Sequence, residues 1–117
     1  MPNQEAALDT VFRALADPTR RAVVQRLSRG PASVTELAEP FEMALPSFLQ
    51  HLKVLEGSGL VRSKKSGRVR TFEIAPEQLA VAEHWIGKQR EIWAGRLDRL
   101  EDVIKKLKAG AAVDGQS

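Results

Sequence analysis

The sequence predicts a mainly α fold with a small β-hairpin: a winged helix-turn-helix with a long terminal helix. Three observations predict it. Apolar residues recur at helical spacing along most of the 117-residue chain, two short β-prone runs meet at Ser66-Gly67, and a final run keeps one apolar stripe from Ile86 to Leu107. A chain of this length builds one hydrophobic core, so a single domain over residues 1–109 is expected, followed by a flexible tail over 110–117.

The elements follow in order. Leu8, Val11, Phe12 and Leu15 share one helical face, and their helix ends before Asp17-Pro18. That pair also starts the next helix, because an Asp side chain accepts from free N–H groups and Pro fits a first turn. Ala22, Val23, Val24 and Leu27 are the apolar residues of this second helix, which Gly30-Pro31 stops. Ser33-Val34-Thr35-Glu36 fits a capping box opening a short third helix with Leu37 and Ala38; Thr35 is the other candidate cap, and Pro40 ends the helix.

A fourth helix runs from about Leu45 to Glu56. Phe48, Leu52 and Leu55 stand at i, i+4 and i+7 on one stripe, while Ser47, Gln50, Lys53 and Val54 lie off it. Gly57-Ser58-Gly59 terminates it. Residues 60–65 and 68–74 then read as two strands joined by a turn at Ser66-Gly67. Pro76 opens the last helix, which continues to about Lys108 with Ile86, Trp93, Leu97, Leu100, Val103, Ile104 and Leu107 in register. At 1.5 Å per residue it is roughly 45 Å long, more than a domain of this size can cover. Part of its stripe needs a partner outside its own core.

Charge narrows the function. The net charge is only +3, yet from Leu60 to Phe72 there are Arg62, Lys64, Lys65, Arg68 and Arg70 and no acid. The last helix instead mixes both signs, as a solvated surface does. An amphipathic fourth helix alone is explained by a solvated face, and a cationic hairpin alone by protection of a sheet edge. Edge protection tolerates glutamate as readily as lysine, so the two features together favour nucleic acid. A helix fits the major groove of B-DNA, where side chains distinguish base pairs, and cations on a neighbouring loop neutralise phosphates.

On this reading Ser47 and Gln50 face base edges, Lys53 reaches a base or phosphate, and Pro46 or Leu49 touches a thymine methyl. His51, next to Leu52 and three residues from Phe48, reads better as a packed residue at the edge of the core. Arg20 and Arg21 have two readings of equal weight, phosphate contact or surface pairing with Asp17 or neighbouring Glu residues.

Other function classes find no residues. The chain has no cysteine, no glycine-rich phosphate loop and no serine motif with a plausible histidine, so neither catalysis nor a cofactor is expected. Glu83-His84 falls short of the three or four ligands zinc requires, so no metal is expected. The start, MPNQEAALD, lacks the basic and apolar pattern of a signal peptide, and no run approaches the roughly 18 apolar residues of a membrane span. A cytoplasmic protein with no membrane partner is expected.

Four stretches carry a family resemblance: ALADPTRRAVVQRL (14–27), VTELAEPFEM (34–43), LPSFLQHLKVLEGSGLV (45–61) and GRVRTFEI (67–74). In order and spacing the chain resembles the ArsR family of bacterial winged-helix transcriptional regulators, from about Leu8 to Leu107. The resemblance implies a sequence-specific regulator of transcription, most often a repressor, acting as a homodimer on a palindromic double-stranded DNA operator. It implies a recognition helix with Pro46, Ser47, Leu49, Gln50, His51 and Lys53, and a wing with Arg62, Lys64, Lys65, Arg68 and Arg70. It further implies a dimer interface from the first and last helices, with Leu8, Phe12, Trp85, Ile86, Trp93, Leu97, Leu100 and Ile104.

Two departures stand out. Ala44 occupies the position where the family usually has a Ser or Thr cap, and Val34 to Glu39 holds none of the metal sensors' cysteines. An effector, small molecule or protein, is therefore left open. The rival readings are a winged helix serving as a protein–protein interaction module and, nearer, one that binds structured RNA. A-form RNA hides its major groove from a helix, which disfavours the second.

Overall fold

The computed structural model describes residues 4–116, and the side chains of residues 5–110. Its elements are α1 (Gln4–Leu15), α2 (Pro18–Leu27), β1 (Ala32–Ser33), α3 (Val34–Ala38), α4 (Leu45–Gly57), β2 (Val61–Ser66), β3 (Val69–Ile74) and α5 (Pro76–Gln116). This is the mainly helical fold with a small antiparallel sheet that the sequence predicts. Two compact units divide it, residues 1–83 and 84–117.

Local chemistry sets the helix boundaries in the first unit. Asp17 caps α2 by accepting from the N–H of Arg20 at 3.0 Å, with Pro18 in the first turn. Ser33, not Thr35, caps α3. The full capping box forms, with Glu36 N–H donating to Ser33 Oγ at 3.2 Å and Ser33 N–H to Glu36 Oε1 at 3.1 Å. Ala44 precedes α4 and supplies no side-chain cap.

The sheet departs from expectation in two ways. It has three strands in the order β1-β3-β2, because Ala32 and Ser33 pair antiparallel with Phe72 and Thr71. The hairpin turn also lies one residue later: Ser66 pairs with Val69, leaving Gly67-Arg68 as the two-residue loop. Gly67 has φ 62 and, among the described residues, no other residue type takes a positive φ, so only the first turn position is left-handed, as a type II′ turn requires. Arg68 therefore sits at the hairpin tip rather than in a strand.

The core of this unit collects Val11 and Ala14 of α1, Val23 and Leu27 of α2, Leu37 of α3, and Phe48, Leu52 and Leu55 of α4. Leu60, Val61 and Phe72 close it from the hairpin, with Ala82 of α5. A tight connection then aims the hairpin. Ser58 is buried and donates to Leu55 O at 2.7 Å, while its Oγ accepts from Leu60 N–H at 3.3 Å. Next to it, Gly59 has φ +81, and a Cβ there would meet Gln78 Cγ at 2.8 Å. Both the conformation and the space call for glycine.

In the second unit α5 continues beyond Lys108, where the apolar spacing stops, to Gln116. Alanines at 109, 111 and 112 favour helix, partly offset by Gly110. The expected flexible tail over 110–117 lies, apart from Gly110, outside the residues whose side chains are described. Among the described residues, no helix is long and apolar enough to cross a membrane.

Candidate nucleic-acid interface

Helix α4 is split lengthwise by burial. Phe48, Leu52 and Leu55 are at most 2% exposed, whereas Pro46, Ser47, Leu49, Gln50 and Lys53 are all exposed. At about 100° per residue, Leu49, Lys53, Pro46, Gln50, Val54 and Ser47 follow one another across a continuous face. It presents a hydroxyl, an amide and an ammonium among small apolar surfaces, the donors, acceptors and methyl contacts that base edges in a major groove can meet.

His51 does not join that face. It is half-buried, with Nδ1 3.1 Å from Arg20 Nη1 and 3.6 Å from Asp17 Oδ2. Guanidinium only donates, so the contact with Arg20 requires a neutral ring protonated at Nε2. Asp17 is the partner a protonated ring would take. His51 thus belongs with the packing that holds α4 in place.

Arg20, like Arg21, also engages the end of α1. Its Nε donates to Ala14 O at 2.7 Å and its Nη2 to Arg13 O at 3.2 Å, while Arg21 Nη1 donates to Leu15 O at 2.9 Å. Two guanidinium groups thus bond to carbonyls at the end of α1, where a helix dipole favours cations. Through His51, Arg20 links the end of α1 to α4. The N–H of Arg20, with smaller contributions from the Arg20 charge and the N–H of Thr19, holds the Asp17 carboxyl below its ordinary value despite partial burial. The DPTRR stretch shows this only in part, since the cap is local and the His51 contact spans 31 residues.

The hairpin cations are of two kinds. Arg62 is engaged: its Nε donates to Glu73 Oε1 at 2.9 Å and Nη1 lies 3.7 Å from Glu77 Oε1, which raises its pKa and lowers that of Glu73. Arg70 donates to Ser63 Oγ at 2.8 Å, and Ser63 donates in turn to Glu56 Oε2 at 3.1 Å, fastening the hairpin to the end of α4. By contrast, the side chains of Lys65 and Arg68 make no hydrogen bond or ion pair among the described residues, and Lys64 acts on Glu73 only at longer range. Lys65 stands directly opposite Arg70 in the ladder. Like charges so placed destabilise a sheet, a cost that a bound polyanion offsets.

The remaining expected residues fall in two places. In α1, Leu8 packs half-buried against the core and Phe12 is 38% exposed. In α5, Trp85, Ile86, Trp93, Leu97, Leu100 and Ile104 are all exposed. Arg96 stacks over the Trp93 ring at 5.4 Å from its centroid. Among the described residues, no group of three or more His, Asp or Glu side chains could hold a metal ion.

A helix-turn-helix domain family matches residues 15–64. Over 72 residues the chain is 44% identical to the HTH-type transcriptional regulator Rv2034 of Mycobacterium tuberculosis (strain ATCC 25618 / H37Rv), spanning 62% of this chain and 67% of that protein. Over 74 residues it is 36% identical to the HTH-type transcriptional repressor SmtB of Mycobacterium tuberculosis (strain CDC 1551 / Oshkosh), spanning 63% of this chain and 55% of that one. The chain thus spans about two thirds of the first relative and little more than half of the second. The crystal structure of an ArsR family transcriptional regulator, RHA00566, is similar with 54% identity and a TM-score of 0.74, covering 80% of this chain and 97% of the other.

Proposed function

Because the chain belongs to the ArsR family of winged helix-turn-helix transcriptional regulators, we propose that it binds a palindromic duplex DNA operator as a homodimer and represses transcription there. One observation carries this reading: α4 buries one face in its own core and leaves Pro46, Ser47, Leu49, Gln50 and Lys53 exposed beside a hairpin whose Lys65 and Arg68 have no acid partner among the described residues. Gln50 and Ser47 read base edges. Lys65, Arg68 and Lys64 take phosphates, while Arg62 and Arg70 shape the wing and His51 positions α4.

The homodimer rests on the stripe of Ile86, Trp93, Leu97, Leu100 and Ile104, which is exposed in the single chain. Burying one such side chain stabilises by about 1.5–3 kcal/mol, enough for several together to hold two chains in register. Two copies then present two reading helices, which fit half-sites about one helical turn apart. The relative named as a repressor supports the direction of regulation.

Selection of bound fragments from genomic DNA tests the proposal. The expected result is enrichment of one inverted repeat, bound far more tightly than a scrambled duplex and with an affinity that falls steeply as salt rises. Equal affinity for all duplexes, or none at moderate salt, overturns it and favours a protein–protein interaction module.

A further inference from the structure

A groove between α2 and α3 belongs to neither the α4 face nor the wing. Its volume of about 620 Å³ lies within the roughly 300–1,000 Å³ usual for small-molecule sites. Helical spacing builds it: Ala22, Gln25 and Arg26 form one stripe of α2, and Arg29 follows just past the helix end. Glu36 and Leu37 of α3, with Pro40 and Phe41 after it, form the other wall. Val23 and Leu37, both buried, make an apolar floor.

The rim carries two guanidinium groups against one carboxylate. Arg26 donates to Gly30 O at 3.1 Å and lies 3.6 Å from Glu36 Oε2, while the Arg29 side chain makes no hydrogen bond or ion pair among the described residues. Glu36 is also committed elsewhere, because its Oε1 accepts the capping hydrogen bond from Ser33 N–H. An apolar floor beneath one uncompensated positive charge calls for an amphipathic anion.

We propose that this groove is an effector site for a small organic carboxylate with an aromatic or aliphatic body, its carboxylate on Arg29 and Arg26 and its body on Leu37 and Phe41. The inference deepens the proposed function and rests on it only for the regulatory consequence. A route to the reading helix is present. The Phe41 ring lies 5.4 Å from that of Phe48, centroid to centroid, and Phe48 is the first buried residue of α4. With Ala44 supplying no side-chain cap, the start of α4 depends on that ring contact more than a capped helix does. An occupant pressing on Phe41 therefore acts on the position of α4.

The test titrates the isotope-labelled full chain, without DNA, with 1-naphthylacetate and with the uncharged 1-naphthylacetamide. Amide signals of Ala22, Arg29, Leu37 and Phe41 are expected to move saturably with the acid, with those of Phe48 and Leu49 following. The amide analogue should bind about tenfold more weakly, as loss of a charge-assisted pair implies. Arg29→Gln should weaken the acid several-fold at unchanged melting temperature. Equal binding of acid and amide, shifts centred outside α2 and α3, or no saturable shift overturns the proposal. A chain that takes the acid but shows no operator preference refutes the proposed function alone. One that selects an operator but ignores the acid refutes the groove alone.

Discussion

Helix α4 and residues 84–110 of α5 are both amphipathic, yet their apolar stripes meet opposite fates within the single chain. Phe48, Leu52 and Leu55 are almost wholly buried, while Ile86, Trp93, Leu97, Leu100 and Ile104 remain between 43% and 60% exposed. The difference separates two jobs. In α4 the apolar side serves folding, which frees the polar side to meet a ligand; in α5 the apolar side stays open in the single chain, and in the proposed homodimer a second copy covers it. Periodicity finds a stripe in either helix, but only burial says which chain covers it.

The sharpest way to break this contrast is a pair of truncations. Phe48→Ala should destabilise the chain by about 3–5 kcal/mol, as loss of a fully buried aromatic does, at any protein concentration. The loss caused by Leu97→Ala should instead depend on concentration, shrinking as subunits are forced together. Denaturant unfolding at two concentrations, with sedimentation to follow assembly, distinguishes them. If Leu97→Ala costs the same at both, its stripe is not an intersubunit surface.

The wing sharpens the contrast on the polar side. Replacing Lys65 and Arg68 together with alanine should weaken binding to every duplex and flatten the salt dependence by about two phosphates' worth, roughly 0.9 in logarithmic slope for each. Arg62→Ala should change that slope much less, because Glu73 and Glu77 already engage its guanidinium. Anisotropy titrations at several salt concentrations read both. Equal effects from Arg62 and Arg68 would show that the pairing within the hairpin opens on DNA.

Smaller effects concern how α4 is seated. Asp17→Ala should cost about 1 kcal/mol through the lost cap of α2. The sign with pH follows from its depressed folded pKa. The contribution is present above the ordinary carboxylate value of 3.8 and is lost as pH falls through the lower folded value. Unfolding curves recorded on both sides of that range should differ less in Asp17→Asn than in the unaltered chain. Ala44→Ser should act in the opposite direction, stabilising by at most about 1 kcal/mol by capping α4.

Legibility in the sequence followed the range of each interaction. The caps at Asp17 and Ser33 and the stripe of α4 were readable because their partners lie within a few residues. Strand β1 was not: Ala32-Ser33 has little intrinsic preference for a strand and becomes one only because Phe72 and Thr71 pair with it. The hairpin turn was misplaced by one residue because both Ser66-Gly67 and Gly67-Arg68 contain the needed glycine, and only register decides between them. The basic run was visible, but its division was hidden. Glu73 lies just past the acid-free window, and Glu56, which fixes Ser63 and Arg70, precedes it.

The central claim is that the exposed face of α4 reads bases. The most direct measurement is the affinity of the unaltered chain and of Gln50→Ala for a set of duplexes in which each base pair of the selected half-site is changed in turn. The account predicts that Gln50→Ala loses about 1–3 kcal/mol of preference at one position and keeps the rest, with an unchanged salt slope. A uniform loss across all positions, or no loss at any, would contradict it.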